Sequence, residues 1–422
     1  MKKLIIPTIL TILVSFYIFQ VQFRFLPMGL NTKIIIAAIG VFIFGVQCIH
    51  NHEIRMSRRT LVSILLAVAF SIWCLFCITM NGTDDNTYTN YCWRSFGTWL
   101  GGAYAVCFFL RRRHQRMDLE LLTRYMAIVC IAQCAIALLI DNVPFVKRIV
   151  DSLIYGGPEE YQPLNRLYGF GAALDTAGVV FSVTLVLVAH QIVQWQKNPT
   201  GKRFLSSYLI AFILITIVGN MIARTTTVGA AIGLGYILFS YIRIQRGGFI
   251  AGENMRFYGI LAGLLIAAIV ISVSLYNSSP VFKEHLRFAF EGFFNWAETG
   301  DFSTDSTDKL NSVMWIWPED TRSWIIGTGI FGHYVYATDI GYCRFTLYCG
   351  LPGLALFSIF FIFNHLSIQS KFRHSSFLSL CLIAITFIIW IKVSTDIFFI
   401  DALLFCLDDD TNTLSPCESS IA

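Results

Sequence analysis

Long apolar runs separated by short polar segments dominate the chain. The runs are about 20 residues long, which matches the hydrocarbon thickness of a bilayer, and they recur from residue 4 to residue 407. The pattern predicts an all-α fold, namely a polytopic transmembrane helical bundle with 11 or 12 spans. We expect residues 1–422 to form a single integral membrane domain.

The last apolar run, residues 377–407, is too long for one span. We therefore predict two spans joined by a tight turn, because four polar residues interrupt the run: Lys392, Ser394, Thr395 and Asp396. Whether the second of these forms a twelfth span is left open by the pattern.

Two polar intervals are long enough to hold structure outside the membrane. The shorter one, residues 141–168, contains the stretch VKRIVDSLI, whose periodicity predicts a short helix lying on the membrane surface. The longer one, residues 277–340, is the only interval with room for a small extramembrane structure. We call residues 277–340 the outer interval.

Composition supports the membrane class and narrows the chemistry. The chain is 56% hydrophobic and 14% charged, whereas a soluble domain carries about 25% charged residues. The basic residues fall in short loops between spans, which argues against nucleic-acid binding. Most of the 12 cysteines lie inside spans, and no His/Cys cluster has zinc spacing, so no metal site is indicated. Only Cys92 and Cys343 lie near the presumed outer face, where a disulfide between them is conceivable.

Lysine and arginine placement predicts the orientation. The basic start Met1-Lys2-Lys3 and the long apolar run after it favour a signal anchor over a cleaved signal peptide. If the N-terminus is cytoplasmic, more than half of the 31 lysines and arginines fall on the cytoplasmic side. The outer interval then lies on the opposite, outer face.

Four arginines lie near the outer ends of the predicted spans: Arg94, Arg166, Arg224 and Arg344. Snorkelling to the interface or a contact with lipid phosphate explains any one of them about equally well. Arg224 is the hardest to explain in this way, because a link of only five residues between two spans holds it at the membrane surface. Several outward arginines that converge indicate an anionic ligand, and guanidinium groups suit phosphate or diphosphate.

Acidic and imidazole groups on the same side are candidates for proton transfer. Asp339 precedes a predicted span and lies five residues before Arg344, a suitable position for a general base. His333 could do similar work, although a lone loop histidine is more often incidental. Asp175 is a candidate partner for Arg166 from within the sixth span. The GxGxxG pattern at residues 327–332 lacks a βαβ context, so we interpret its glycines as turn residues.

Three segments together resemble the O-antigen polymerase and O-antigen ligase superfamily of bacterial inner-membrane proteins. The first is Arg166-Leu167-Tyr168-Gly169-Phe170 followed by Asp175, and the second is the link Ala223-Arg224-Thr225. The third comprises Gly327-Thr328-Gly329, then Asp339, Tyr342 and Arg344, and finally Gly350, Leu351 and Gly353. Asp339 stands where ligases of this superfamily usually have histidine, which favours the polymerase branch.

The resemblance implies polymerisation of polyprenyl-diphosphate-linked oligosaccharides at the periplasmic face of the bacterial inner membrane. By this analogy Arg166 and Arg224 hold the donor diphosphate, Asp339 or His333 is the base, and Arg344 positions Asp339 or the second diphosphate. No metal or other cofactor is implied, and the implied partners are a flippase and a chain-length regulator. The alternatives are ligase-type transfer to another acceptor, a lipid-linked oligosaccharide flippase or other transporter, and a non-catalytic assembly protein.

Overall fold

The structure is a computed structural model that describes residues 2–54, 56–155, 166–197, 202–244, 252–332, 335–372 and 376–408. Within these ranges, the regular secondary structure is helical apart from one isolated β-bridge between Phe23 and Ile154. The all-α prediction is therefore confirmed.

The α-helices of the described residues follow one another in this order: α1 Lys2–Ile18, α2 Thr32–Asn51, α3 Arg58–Asn81, α4 Thr98–His114, α5 Leu119–Asn142, α6 Pro144–Leu153, α7 Leu174–Lys197, α8 Lys202–Ile222, α9 Thr226–Ile244, α10 Gly252–Ser278, α11 Pro280–Ala289, α12 Glu291–Thr299, α13 Asp305–Val313, α14 Thr321–Ile326, α15 Gly341–Gln369, α16 Ser376–Ile389 and α17 Phe398–Cys406. A π-helical segment, Cys92–Gly97, leads directly into α4.

Among the described residues, seven helices are long and apolar enough to cross a membrane, which defines a multi-pass membrane protein. These helices are α2, α3, α5, α7, α8, α10 and α15. Three shorter apolar helices lie on α1, α9 and α16.

The remaining predicted spans coincide with α4 and α17. The nine residues of α17 rise only about 14 Å, well short of the roughly 30 Å hydrocarbon core. This helix therefore cannot cross the bilayer by itself. The predicted break in the last apolar run is confirmed, because residues 390–397 separate α16 from α17.

Contacts group the chain into two compact units, whereas the sequence indicates one domain. Unit 1 comprises residues 1–13, 32–122 and 309–422, and unit 2 comprises residues 14–31 and 123–308. Each unit is described by itself below. The boundary at residues 308 and 309 falls inside the outer interval, so this interval contributes to both units.

Glycine contacts and aromatic rings pack unit 1. Helices α2 and α4 cross where the backbones touch, since a Cβ atom on Gly40 would overlap the carbonyl oxygen of Gly101. Helix α3 packs on α15, and the ring of Phe70 stacks on that of Phe357 with centroids 4.4 Å apart. The ring of Trp390, which follows α16, also stacks on that of Phe357, with centroids 5.4 Å apart. These rings are fully buried and form the core of the unit.

Helix α7 is the central helix of unit 2, because 94% of its most apolar 18-residue stretch is buried. It packs on both α8 and α9. At the crossing with α9, a Cβ atom on Gly229 would overlap the backbone of Ser182. The Ser182 hydroxyl donates to the carbonyl oxygen of Thr225 over 2.8 Å and accepts from the Gly229 amide over 3.2 Å. These bonds fix the short link between α8 and α9 on the central helix.

Short helices fill the polar intervals. The short helix predicted in the first polar interval is confirmed as α6, which starts with Pro144 at its first turn. The outer interval contains α11 to α14; the Ser279 hydroxyl caps α11 by accepting from the Phe282 amide, and Asp320 caps α14 in the same way. Cys92 and Cys343 are both free and buried, so the disulfide considered from the sequence does not form.

Candidate functional site

Unit 2 brings together two of the arginines expected to bind an anion. Arg166 lies in the extended segment before α7, and Arg224 lies in the link between α8 and α9. Their guanidinium carbons lie over the same ring, that of Phe288 on α11, at 4.9 Å and 4.3 Å from its centroid. We call Arg166 and Arg224 the arginine pair. Two like charges share one aromatic ring, an arrangement that a bound anion would stabilise.

The hydrogen-bonding capacity of the arginine pair is only partly used within the described residues. Nη1 of Arg224 forms a short ion pair with Glu291, whose other oxygen accepts from the Asp305 amide over 2.9 Å. The Nε atoms of Arg166 and Arg224 are buried and have no partner in the part of the chain that the structure describes. Buried N–H groups without acceptors are costly. An oxygen-rich ligand would satisfy them.

Asp175 joins this cluster, but from a shallower position than the sequence suggested. It lies in the first turn of α7, and its Oδ1 accepts from the Thr225 hydroxyl over 2.8 Å. Burial lowers the pKa of Arg166; the charge of Asp175 raises this pKa, and that of Arg224 lowers it. Asp175 therefore acts on both arginines: it holds the link that carries Arg224 and favours the charged form of Arg166.

Phe288 and Glu291 are the members of the cluster that sequence reasoning missed. Both belong to the outer interval, where a single phenylalanine or glutamate resembles many others. The available signal was the Ser279-Pro280 start of an amphipathic helix, which predicts that α11 lies against the membrane spans with one apolar face. That signal locates the helix but does not say which ring meets an arginine.

An apolar groove of about 820 Å³ opens along the same helices. Its lining comes from α8, α10, α11 and α12. The lining residues with hydroxyl or amide side chains are Thr216, Ser272, Tyr276 and Asn277. Leu286 and Phe290 line the groove and lie two residues on either side of Phe288. The helix that supports the arginine pair thus also forms a wall of the groove.

In unit 1, Arg344 holds a loop rather than pointing into free space. Nη2 donates to the carbonyl oxygen of Phe331 over 2.7 Å, and Nη1 donates to the Ser394 hydroxyl over 2.8 Å. The guanidinium carbon also lies 3.9 Å from the centroid of the Phe331 ring. Asp339 lies close enough to Arg344 for their charges to interact. The described contacts of Arg344 therefore fit the positioning role better than direct diphosphate binding.

Asp85 clamps the same loop from the other side. Its Oδ2 accepts from the amides of Phe331 and Gly332 over 2.7 Å and 2.6 Å. Its Oδ1 accepts from the amide and hydroxyl of Thr87. Burial alone raises the pKa of Asp85, but these hydrogen bonds outweigh it and hold the pKa below its ordinary value. The carboxylate is thus stabilised in its charged form, and Asp85 was not singled out from the sequence.

The turn function predicted for the glycines of residues 327–332 agrees with the backbone. Gly327 and Gly329 have φ of +67° and +71°, values that favour glycine. The side chains of Asn81 and Thr83 donate to their carbonyl oxygens over 3.2 Å and 2.9 Å. Residues 81–87 therefore form a template that fixes residues 327–332, which we call the glycine loop.

The predicted site residues are thus distributed over both units. Arg166, Arg224 and Asp175 come together in unit 2, while Asp339 and Arg344 are neighbours in unit 1. His333 lies outside the described residues. The two clusters have their own packing, and each is held by contacts within its own unit.

The fold and the clusters define the protein as a multi-pass helical membrane protein with partly buried arginines near the ends of its helices. Comparisons with protein-family models, with curated proteins and with solved structures give no match.

Proposed function

We propose that the protein polymerises polyprenyl-diphosphate-linked oligosaccharide repeat units, with the arginine pair as the donor diphosphate site. The observation that carries this proposal is the pair of partly buried guanidinium groups over Phe288 whose Nε atoms lack partners. Guanidinium groups donate charge-assisted, bidentate hydrogen bonds to phosphate oxygens. A diphosphate offers enough oxygens to satisfy both arginines at once.

The apolar groove supports a lipid-linked donor over a soluble one. A polyprenyl chain is a hydrocarbon, and the groove offers a wall of aliphatic and aromatic side chains beside the helix that carries Phe288. Each buried CH₂ group contributes about 0.8 kcal/mol. A soluble sugar nucleotide would make no use of this surface.

The proposed reaction transfers a glycan from its lipid diphosphate to a sugar hydroxyl of another repeat unit. The acceptor oxygen forms a bond with the anomeric carbon of the donor, and the bond from that carbon to the diphosphate oxygen breaks. The acceptor proton passes to the Asp339 carboxylate, while the departing diphosphate takes up the electron pair. Arg166 and Arg224 stabilise the charge that develops on it.

Asp339 needs a fixed position for this role, and the contacts of unit 1 support one. Asp85 and Arg344 hold Phe331 at its amide, its carbonyl and its ring. The Thr338 hydroxyl, next to Asp339, donates to the carbonyl oxygen of Met314 over 2.6 Å. Both ends of the segment that leads to Asp339 are therefore anchored.

The test is the gel profile of surface polysaccharide from a deletion strain that carries the intact protein, Arg224→Ala or Arg287→Ala. Arg287 is the matched control, because it lies on α11 but is exposed and paired with Glu298. We expect Arg224→Ala to reduce the ladder to a single repeat unit at normal protein abundance, and Arg287→Ala to keep it.

Other outcomes separate the alternatives. A polymer that persists on its lipid carrier but fails to reach the final acceptor would indicate ligase-type transfer. Accumulation of single lipid-linked units on the cytoplasmic side would indicate a flippase. A normal profile with Arg224→Ala would refute a catalytic role for the arginine pair.

A further inference from the structure

A second cavity, at the arginine-rich end of unit 1, is distinct from the groove described above. It has a volume of about 420 Å³, within the usual range of ligand pockets. Its walls come from α2, α4, the start of α3 and the end of α17. We call it the basic-end cavity.

Glycines create the basic-end cavity. The backbones of α2 and α4 touch at Gly40 and Gly101, and Gly97 lies one turn before Gly101. Because these residues have no side chains, the crossing leaves space beside it that Val41, Phe44 and Leu100 line without filling. This end of the cavity is apolar.

The opposite end of the cavity is polar. Ser57, Thr60 and Arg111 line it. Nε and Nη2 of Arg111 donate to Asp408 over 3.0 Å and 2.7 Å, and Nη2 also donates to the carbonyl oxygen of Cys406 over 2.9 Å. The hydroxyls of Ser57 and Thr60 are 2.9 Å apart, and that of Ser57 accepts from the Thr60 amide over 3.1 Å at the start of α3.

The surroundings indicate a membrane lipid as the occupant. Val41 is 60% exposed, and its neighbour Phe42 is 72% exposed, so this side of α2 meets hydrocarbon. Three exposed arginines are close in sequence to the polar lining residues: Arg58 follows Ser57, and Arg112 and Arg113 follow Arg111. Basic pockets between membrane helices suit anionic headgroups.

We propose that the basic-end cavity binds an anionic phospholipid. The phosphate lies at the polar end, beside Arg111, Ser57 and Thr60, and an acyl chain lies along the apolar end. This inference does not depend on the proposed polymerase function, and the lipid acts as a bound structural component rather than as a substrate.

The first experiment fills the apolar end. Purified full-length protein is analysed by native mass spectrometry with phosphatidylglycerol or phosphatidylcholine, and as Val41→Trp or Ile49→Trp. Ile49 is the matched control, because it is a branched residue on α2 that is 75% exposed and lies outside the cavity. Excluding two methylenes corresponds to about a tenfold loss of affinity. We expect that loss for phosphatidylglycerol with Val41→Trp and none with Ile49→Trp.

The second experiment tests the charged end with two variants that break the same ion pair. Arg111→Gln removes the positive charge, whereas Asp408→Asn keeps it and frees the guanidinium. We expect Arg111→Gln to abolish the preference for phosphatidylglycerol over phosphatidylcholine, and Asp408→Asn to preserve or increase it.

Three results would overturn the proposal. Equal losses with Val41→Trp and Ile49→Trp would mean that only the general lipid shell is measured. Equal losses with Arg111→Gln and Asp408→Asn would mean that the ion pair is purely structural. Saturation by inorganic phosphate alone, with no phosphatidylglycerol retained, would mean that the site takes a free anion.

Discussion

Glu291 forms an ion pair with Arg224, so replacing Glu291 should change stability and ligand binding in opposite directions. The Arg224 and Glu291 side chains are 16% and 19% exposed, which makes their ion pair largely buried. Breaking an exposed pair costs about 0–1 kcal/mol and breaking a buried one about 3–5 kcal/mol. We therefore expect Glu291→Gln to lower the unfolding free energy by about 2 kcal/mol without ligand.

A diphosphate must displace Glu291 to reach Arg224, and the variant no longer bears that cost. A difference of about 2 kcal/mol corresponds to roughly a 30-fold tighter dissociation constant. Thermal unfolding of the purified protein, with and without a polyprenyl diphosphate, measures both effects. The variant should unfold at a lower temperature than the intact protein alone, and its ligand-induced increase should be larger.

Glu284→Gln is the control, because Glu284 is an exposed carboxylate on the neighbouring helix α11. It should change neither the stability nor the response to ligand. A smaller ligand-induced increase in Glu291→Gln than in the intact protein would contradict the reasoning. The arginine pair would then not be the site at which the diphosphate binds.

Three further predictions concern the packing and the loop clamp. Gly350→Ala should lower the unfolding free energy by well over the roughly 1–2 kcal/mol expected for Gly300→Ala. Both glycines have positive φ, but of the two only Gly350 has a position where a Cβ atom would overlap the backbone of Ile325. Thermal unfolding compares the two variants. Asp85 has a lowered pKa in the folded protein. Its contribution to stability is therefore complete above its unfolded pKa and is lost as pH falls through its folded pKa. Asp85→Asn should remove this acid dependence from unfolding curves recorded between pH 3 and pH 6, about the range of carboxyl titration. Asp401→Ala should destabilise the protein more than Glu298→Gln does, because Asp401 and the His365 Nδ1 atom 2.8 Å from it are fully buried, whereas Glu298 is exposed. Denaturant unfolding compares the two variants.

The helices could be predicted because hydrocarbon demands a simple pattern. A membrane-spanning helix must satisfy its backbone internally and present apolar side chains, so each long apolar run predicts one helix. The short link around Arg224 followed for the same reason, since two spans leave few residues between them. The division into two units could not be predicted, because apolar faces do not specify which other helix they contact.

The candidate site was predicted only where it lies at helix ends. Arg166, Arg224 and Asp175 were named from their positions near the ends of spans, and the structure places them together. Phe288 and Asp85 were missed, because each acts through one tertiary contact that no periodicity encodes. A carboxylate that accepts amides from a loop distant in the sequence looks, in the sequence, like any other polar residue.

The interleaving of unit 1 has a consequence for the order in which the protein is made. Its helices α2 to α4 leave the ribosome early, yet α3 packs on α15, which belongs to the last third of the chain. The larger part of unit 2, residues 123–308, lies between them in the sequence and is synthesised before α15. The first helices of unit 1 must therefore wait in the bilayer while unit 2 assembles, and a chain that stops before Gly341 leaves α3 without its partner and exposed to membrane quality control.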